Sequence, residues 1–157
     1  MGAKEEGQIV CEVLVGGAVP IYLSSDILCG YVNNLLKEEI GRECVVSIYF
    51  VDKNLMKDIN ASTRGKDYAT NVLSFSFNDD LGEKVYLGEI LICEDEVLKD
   101  AELNGVTKKE EMLFVLTHGL LHLLGYDHKD DTEEAEMNAK ESYYLDKYLK
   151  IRYYNGR

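Results

Sequence analysis

Apolar and polar positions change rhythm several times along the 157-residue chain, and each change marks an element. Ile9 to Val15 alternates loosely between apolar and polar and reads as a strand. Ser24 or Ser25 then offers an N-cap to a helix running to about Ile40, with Gly41 as its stop. Cys44 to Val51 (CVVSIYFV), Val72 to Phe77 (VLSFSF) and Val85 to Cys93 (VYLGEILIC) are rich in β-branched and aromatic residues and read as three more strands. The turn residues Asn78 to Gly82 predict a hairpin between the last two. Asp52 to Thr70 opens with a short helical pattern, KNLMKDIN, and ends in the polar stretch Ser62 to Asp67, which reads as a charged loop.

The second half is helical. Glu94, Asp95 and Glu96 suit the first turn of a helix ending near Asn104-Gly105, and Thr107 caps the next, with Glu110 at the capping-box position. From Glu111 to Leu124 apolar residues fall on nearly every face, which marks a buried central helix ended by Gly125. Thr132 to Leu149 carries Ala135, Ala139, Tyr143, Leu145 and Leu149 at helical spacings behind an acidic start. The sum is an α+β class fold: a single domain over residues 1–157, with about four strands in a mixed sheet, helices packed on it and one buried helix.

Composition narrows the function. At 46% hydrophobic and 29% charged residues the chain suits a globular domain. Its 17 Lys+Arg against 29 Asp+Glu give a formal charge of −12, which repels nucleic-acid phosphate and anionic membranes, so any nucleic-acid role must be local. The longest weakly polar run, Val13 to Leu23, falls short of the about 20 residues of a membrane helix and is broken by Pro20. The start MGAKEEGQ lacks the basic charge of a secretory leader, so no membrane partner and a cytoplasmic location are expected. Cys11, Cys29, Cys44 and Cys93 form no CxxC pair and are expected to be buried free thiols.

All three histidines, His118, His122 and His128, fall within HGLLHLLGYDH. On a helix His118 and His122 are i and i+4 and project from one face, and Gly125 permits a reversal that carries His128 back to the same point. Three neutral imidazoles leave one tetrahedral position open, the arrangement of catalytic zinc, where a water has its pKa lowered to about 7 and becomes a nucleophile. One Zn2+ per chain is the expected cofactor. The spacing HxxxHxxGxxH also occurs in metzincin proteases, but those carry Glu directly after the first His, where this chain has Gly119. A small zinc protease and a non-catalytic, metal-stabilised assembly factor are the alternatives.

The stretch HGLLHLLGYDH resembles the signature HGxLHLxGYDH of the YbeY family of bacterial metallo-endoribonucleases. Asn60 to Phe77 (NASTRGKDYATNVLSFSF), with its Arg-Gly-Lys-Asp core, and Leu87-Gly88-Glu89-Ile90 are similar to further elements of that family. The resemblance implies a single-strand-specific, metal-dependent endoribonuclease that matures ribosomal RNA, notably the 16S 3′ end, and takes part in ribosome quality control. Single-stranded RNA and the ribosome or its proteins are the implied partners. It also implies zinc on His118, His122 and His128, and catalytic roles for Arg64 and His118.

Lys66, in the same segment as Arg64, is a candidate substrate contact, since cations there can meet phosphate oxygens or simply solvate a loop. The family usually has Pro-Thr-Asp where this chain has Ala69-Thr70-Asn71, and Asp where it has Glu89. Asn71, and Asp127 beside His128, are candidates to support a metal ligand from behind, the turn being the favoured role for Asp127. The stretch Lys147 to Arg157 holds Lys147, Lys150, Arg152 and Arg157 beside Tyr148, Tyr153 and Tyr154, a composition that suits either an RNA-facing surface or an ordinary helix end.

Overall fold

The computed structural model of the chain describes residues 9–152. Its elements run β1 (Cys11–Gly17), α1 (Ser25–Ile40), β2 (Cys44–Phe50), α2 (Lys53–Arg64), β3 (Val72–Asp80), β4 (Val85–Ile92), α3 (Glu94–Asn104), α4 (Lys108–Leu123) and α5 (Asp131–Leu149). One mixed sheet has the order β1-β2-β4-β3, with β1, β2 and β4 parallel and β3 antiparallel to β4. The α+β architecture is therefore as expected.

Strand alternation decides which face each residue serves. Cys11 on β1, Cys44, Val46, Ile48 and Phe50 on β2, and Ile90 and Ile92 on β4 enter the main core with Leu28, Val32, Leu35 and Leu36 of α1 and much of α4. A smaller cluster of Met56, Leu73, Leu91 and Cys93 seats α2 on the other face. Buried on almost every side, α4 packs against β3, β4, α3 and α5.

Capping sets the helix starts. Ser24 accepts from the Ile27 N–H at 3.2 Å, and Thr107 accepts from the Glu110 N–H at 3.1 Å while its hydroxyl donates to the Glu110 carboxylate. Asp130 caps α5 through the Glu133 N–H at 2.8 Å.

Three sequence expectations need correction. The loop expected over Ser62 to Asp67 begins only at Gly65, because α2 continues through Arg64. Asp52 caps its start, the Ser62 and Thr63 hydroxyls donate to the Ile59 carbonyl at 3.2 and 2.6 Å within the helical turn, and Gly65 ends it at φ 70°. The hairpin turn lies at residues 81–84, not Asn78 to Gly82: β3 runs on to Asp80 through an irregularity after Ser76, with Asn78 at φ 52°. On α5 the buried positions are Met137, Glu141, Tyr144 and Leu145, whereas Ala135, Ala139 and Tyr143 are exposed. That helix is oriented by the α1 and α4 surfaces it packs against, not by its alanines.

At the C-terminal end, Lys147 pairs with Glu38 and Arg152 with Asp146 at 3.0 Å, so these two cations are neutralised by the chain's own acids. Tyr153, Tyr154 and Arg157 lie outside the described residues. No helix among the described residues is long and apolar enough to cross a membrane.

Candidate metal centre

His118 and His122 project from one face of α4 with their Nε2 atoms 3.1 Å apart. Beyond Leu123 the chain reverses: the Gly125 N–H donates to the His122 carbonyl at 3.0 Å, the Tyr126 N–H to the Leu121 carbonyl at 3.0 Å, and Gly125 adopts φ 102°. A side chain is disfavoured at that φ, which is why glycine serves there. The reversal returns the His128 ring to 5.9 Å from that of His118 and 5.0 Å from that of His122. One ligand nitrogen from each of the three lies within 4.8 Å of the others.

This donor set fits a zinc-sized ion. Two Zn–N bonds of about 2.0–2.1 Å at a tetrahedral angle place their nitrogens roughly 3.3 Å apart, close to the His118–His122 spacing. The environment of His122 agrees. Burial pushes the His122 imidazole's pKa down, and the His118 and His128 rings push the same way, so the neutral, ligating form is favoured.

Behind His118 stands a residue that the motif does not contain. Glu141 Oε2, on α5, lies 2.8 Å from His118 Nδ1, and its side chain is only 4% exposed. With Nδ1–H donating to this carboxylate, the lone pair of Nε2 is left facing His122 and the cleft. The sequence carries one signal for it: a carboxylate set among Met137, Tyr144 and Leu145, the apolar stripe of α5.

Gly119, between the two α4 ligands, touches the sheet. A Cβ there would lie 2.9 Å from Val72 Cγ2 and 3.2 Å from Ile90 Cγ2, and the Gly119 carbonyl accepts from Ser74 Oγ at 2.8 Å. The position at which metzincins carry their glutamate has no room for a side chain here. The His128 loop is held from the far side by Tyr126, whose hydroxyl donates to Glu39 Oε1 of α1 at 2.8 Å. Glu39 also accepts from Tyr144 and from Lys140 Nζ at 3.1 Å.

The three histidines line a cleft of about 710 Å³ together with Arg64, Lys66, Asn71, Tyr68, Phe114 and Glu141. Arg64 Nη2 donates to the Ser74 carbonyl at 2.9 Å and the guanidinium lies over the Phe75 ring at 5.2 Å. Asn60, buried, fixes the following loop: its carbonyl accepts from the Lys66 N–H at 3.3 Å and its Nδ2 donates to the Tyr68 carbonyl at 2.8 Å. Neither Arg64 nor Lys66 forms an ion pair with a described residue. Both charges remain available to a ligand.

The two candidates for supporting a ligand from behind bond elsewhere. Asn71 lines the cleft, but its Nδ2 donates to Asp100 Oδ2 of α3 at 2.9 Å, where an aspartate would set two carboxylates face to face. Asp127 accepts from the His128 backbone N–H at 2.8 Å and pairs with Lys129 at 3.7 Å, so it shapes the turn. Glu141 is the carboxylate that meets a ring nitrogen of His118.

A three-histidine centre built from a buried helix and the loop that follows it, sharing a cleft with two cations, places the chain among α+β proteins built around a candidate metal site. More particularly, the chain belongs to the Endoribonuclease YbeY family, whose model matches residues 25–149. An endoribonuclease YbeY of Ureaplasma urealyticum is 40% identical over 123 residues, 77% of this chain and 78% of that relative. Another, from Staphylococcus carnosus, is 37% identical over 128 residues, covering 74% and 84% of the two chains. The solution structure of a Thermotoga maritima protein superposes with a TM-score of 0.63 at 31% identity, covering 85% of this chain and 87% of that one.

Proposed function

We propose that this protein is a zinc-dependent endoribonuclease that cuts single-stranded RNA in the cytoplasm, acting on ribosomal RNA at the 16S 3′ end and in ribosome quality control. Family membership supports the nuclease reading. The observation that carries the metal dependence is the convergence of three imidazole nitrogens within 4.8 Å.

His118, His122 and His128 would hold the ion, which when bound supplies a Lewis acid and lowers the pKa of an attacking water. Glu141 would accept from His118 Nδ1–H and so orient the ring with its Nε2 towards the ion. Arg64, anchored by Ser74 and Phe75, presents a fixed guanidinium to the non-bridging oxygens, where negative charge grows as the phosphodiester is attacked. Lys66 adds a mobile point charge beside it. Tyr68, 55% exposed on the loop held by Asn60, offers a ring face to an unpaired base.

In a chain of net charge −12 these cations make the cleft the place where a phosphate backbone is tolerated. Peptide hydrolysis loses support because the sheet fills the space that a glutamate at position 119 would need.

The test is cleavage of a labelled single-stranded RNA and of the same sequence as a duplex by wild type, His118→Ala and Arg64→Ala, with metal content measured on each. Selective single-strand cleavage, lost in both variants while Arg64→Ala keeps its metal, is the expected result. Equal cleavage by all three proteins overturns the proposal.

A further inference from the structure

Two of the four cysteines stand directly against each other, away from the cleft. Cys11 opens β1 and Cys44 opens β2, and the parallel register pairs them. Both are buried on the core face of the sheet, with their Sγ atoms 2.6 Å apart. That is closer than the about 3.5–4.0 Å at which non-bonded heavy atoms settle. It lies short only of a covalent bond, about 2.05 Å. Neighbouring strands run about 4.7–4.9 Å apart, inside the Cα separation of about 4.4–6.8 Å that a disulfide spans.

We propose that Cys11 and Cys44 form a dithiol modification site, which peroxide oxidises to an intramolecular disulfide stapling β1 to β2. The two sulfurs differ in character. The Cys44 thiol donates to Cys11 and holds the Cys11 pKa below its usual value, while burial opposes and the Lys37 charge assists. Cys11 in turn pushes the Cys44 pKa up. Cys11 lies on the outer strand and Cys44 on an inner one, which makes Cys11 the attacking sulfur and Cys44 the resolving one.

Access comes from the sheet's edge. Among the described residues β1 pairs only with β2, and Cys11 sits at the first position of β1, its carbonyl held by Asn33 Nδ2 at 2.8 Å, where opening the end of one strand costs less than global unfolding. The other two thiols are internal controls: Cys29 has the Ser25 hydroxyl at 4.0 Å as its neighbour, and Cys93 is enclosed by Met56, Leu73 and Leu91.

The chemistry balances. The Cys11 thiolate attacks one peroxide oxygen, the O–O bond breaks, and the departing hydroxide takes up the proton that Cys11 had released and leaves as water while Cys11 becomes a sulfenic acid. Cys44 then attacks that sulfur, the S–S bond forms, and the hydroxyl departs as a second water with the Cys44 proton. Overall, two thiols and one hydrogen peroxide give one disulfide and two waters, and a thiol reductant reverses the step.

The experiment exposes the folded full-length protein to hydrogen peroxide, removes it, then unfolds and alkylates the chain for peptide mass spectrometry. The expected result is a Cys11–Cys44 linkage with Cys29 and Cys93 alkylated, four alkylated cysteines after a reductant, and a Tm raised by roughly 5–10 °C in the oxidised form. In Cys44→Ser the linkage and the Tm rise both disappear. Four alkylated cysteines after peroxide treatment of the folded wild type overturn the proposal, as does conversion of Cys11 to a sulfinic acid with Cys44 still free.

Discussion

Glu141 Oε2 meets His118 Nδ1 at 2.8 Å, joining the last helix to the central one across 23 positions of sequence. The contact is made by a carboxylate almost wholly out of water, so it is shielded from salt, and its acceptor oxygens favour the imidazole tautomer with the proton on Nδ1. Glu141→Gln keeps an acceptor oxygen but removes the charge. The expected outcome is zinc affinity weakened about 10-fold, and Glu141→Ala weakened towards about 100-fold. Competition against a chromophoric chelator measures both. Affinities equal to wild type would show that the carboxylate only packs.

Gly119 supplies a second prediction. Its neighbours Val72 and Ile90 are β-branched and stiff, so a methyl group at position 119 cannot be absorbed by rotation alone. Gly119→Ala is expected to cost about 1–3 kcal/mol and to lower the Tm by several degrees in thermal unfolding. An unchanged Tm would mean that α4 can lift from the sheet freely.

For Arg64, held by the Ser74 carbonyl and the Phe75 ring, a lysine is a poor replacement because it lacks the planar fork. Arg64→Lys and Arg64→Ala are both expected to lose about 10²-fold or more in single-stranded RNA cleavage, with zinc content unchanged. Single-turnover kinetics separate this loss from weaker RNA binding. Full activity in Arg64→Lys would reduce the role to bulk positive charge.

Acid stability follows from the α1–α5 seam. Burial alone would raise the Glu38 pKa, but Lys147, Tyr143 and Tyr148 together hold it at about 2 against the ordinary 4.5. Glu39 is likewise held down, its burial outweighed by Tyr144, Tyr126 and Lys140. Because both folded pKa values lie below the unfolded ones, the stabilisation is complete above about pH 4.5 and is lost as pH falls towards about 2. Thermal unfolding of Glu38→Gln/Glu39→Gln is expected to start lower at neutral pH and to fall less steeply with acid. Parallel curves for variant and wild type would contradict this account.

Much of the site was legible because local rules write it: His118, His122, Gly125 and His128 are set by helical spacing and one reversal. The four strands and the buried character of α4 were legible for the same reason. What escaped depends on contacts between elements. Glu141 gains its meaning only when α5 docks on α4, and Asn71 turns to Asp100 only because α3 lies beside it. The end of α2 escaped because Ser62 and Thr63 look like loop residues until their hydroxyls find the Ile59 carbonyl. The mutual approach of Cys11 and Cys44 needed the strand register, which hydrophobic pattern alone does not fix.

The central claim, that this centre makes the chain a metal-dependent ribonuclease, is tested most directly by chelation and reconstitution. Tag-free protein is stripped of metal, its fold is checked by circular dichroism, and cleavage of a labelled single-stranded RNA is followed as zinc is returned. Activity should vanish on stripping and return in proportion to zinc, saturating at one ion per chain, and His122→Ala should not recover. Undiminished cleavage by the stripped, folded protein, or recovery in His122→Ala equal to wild type, would contradict the account.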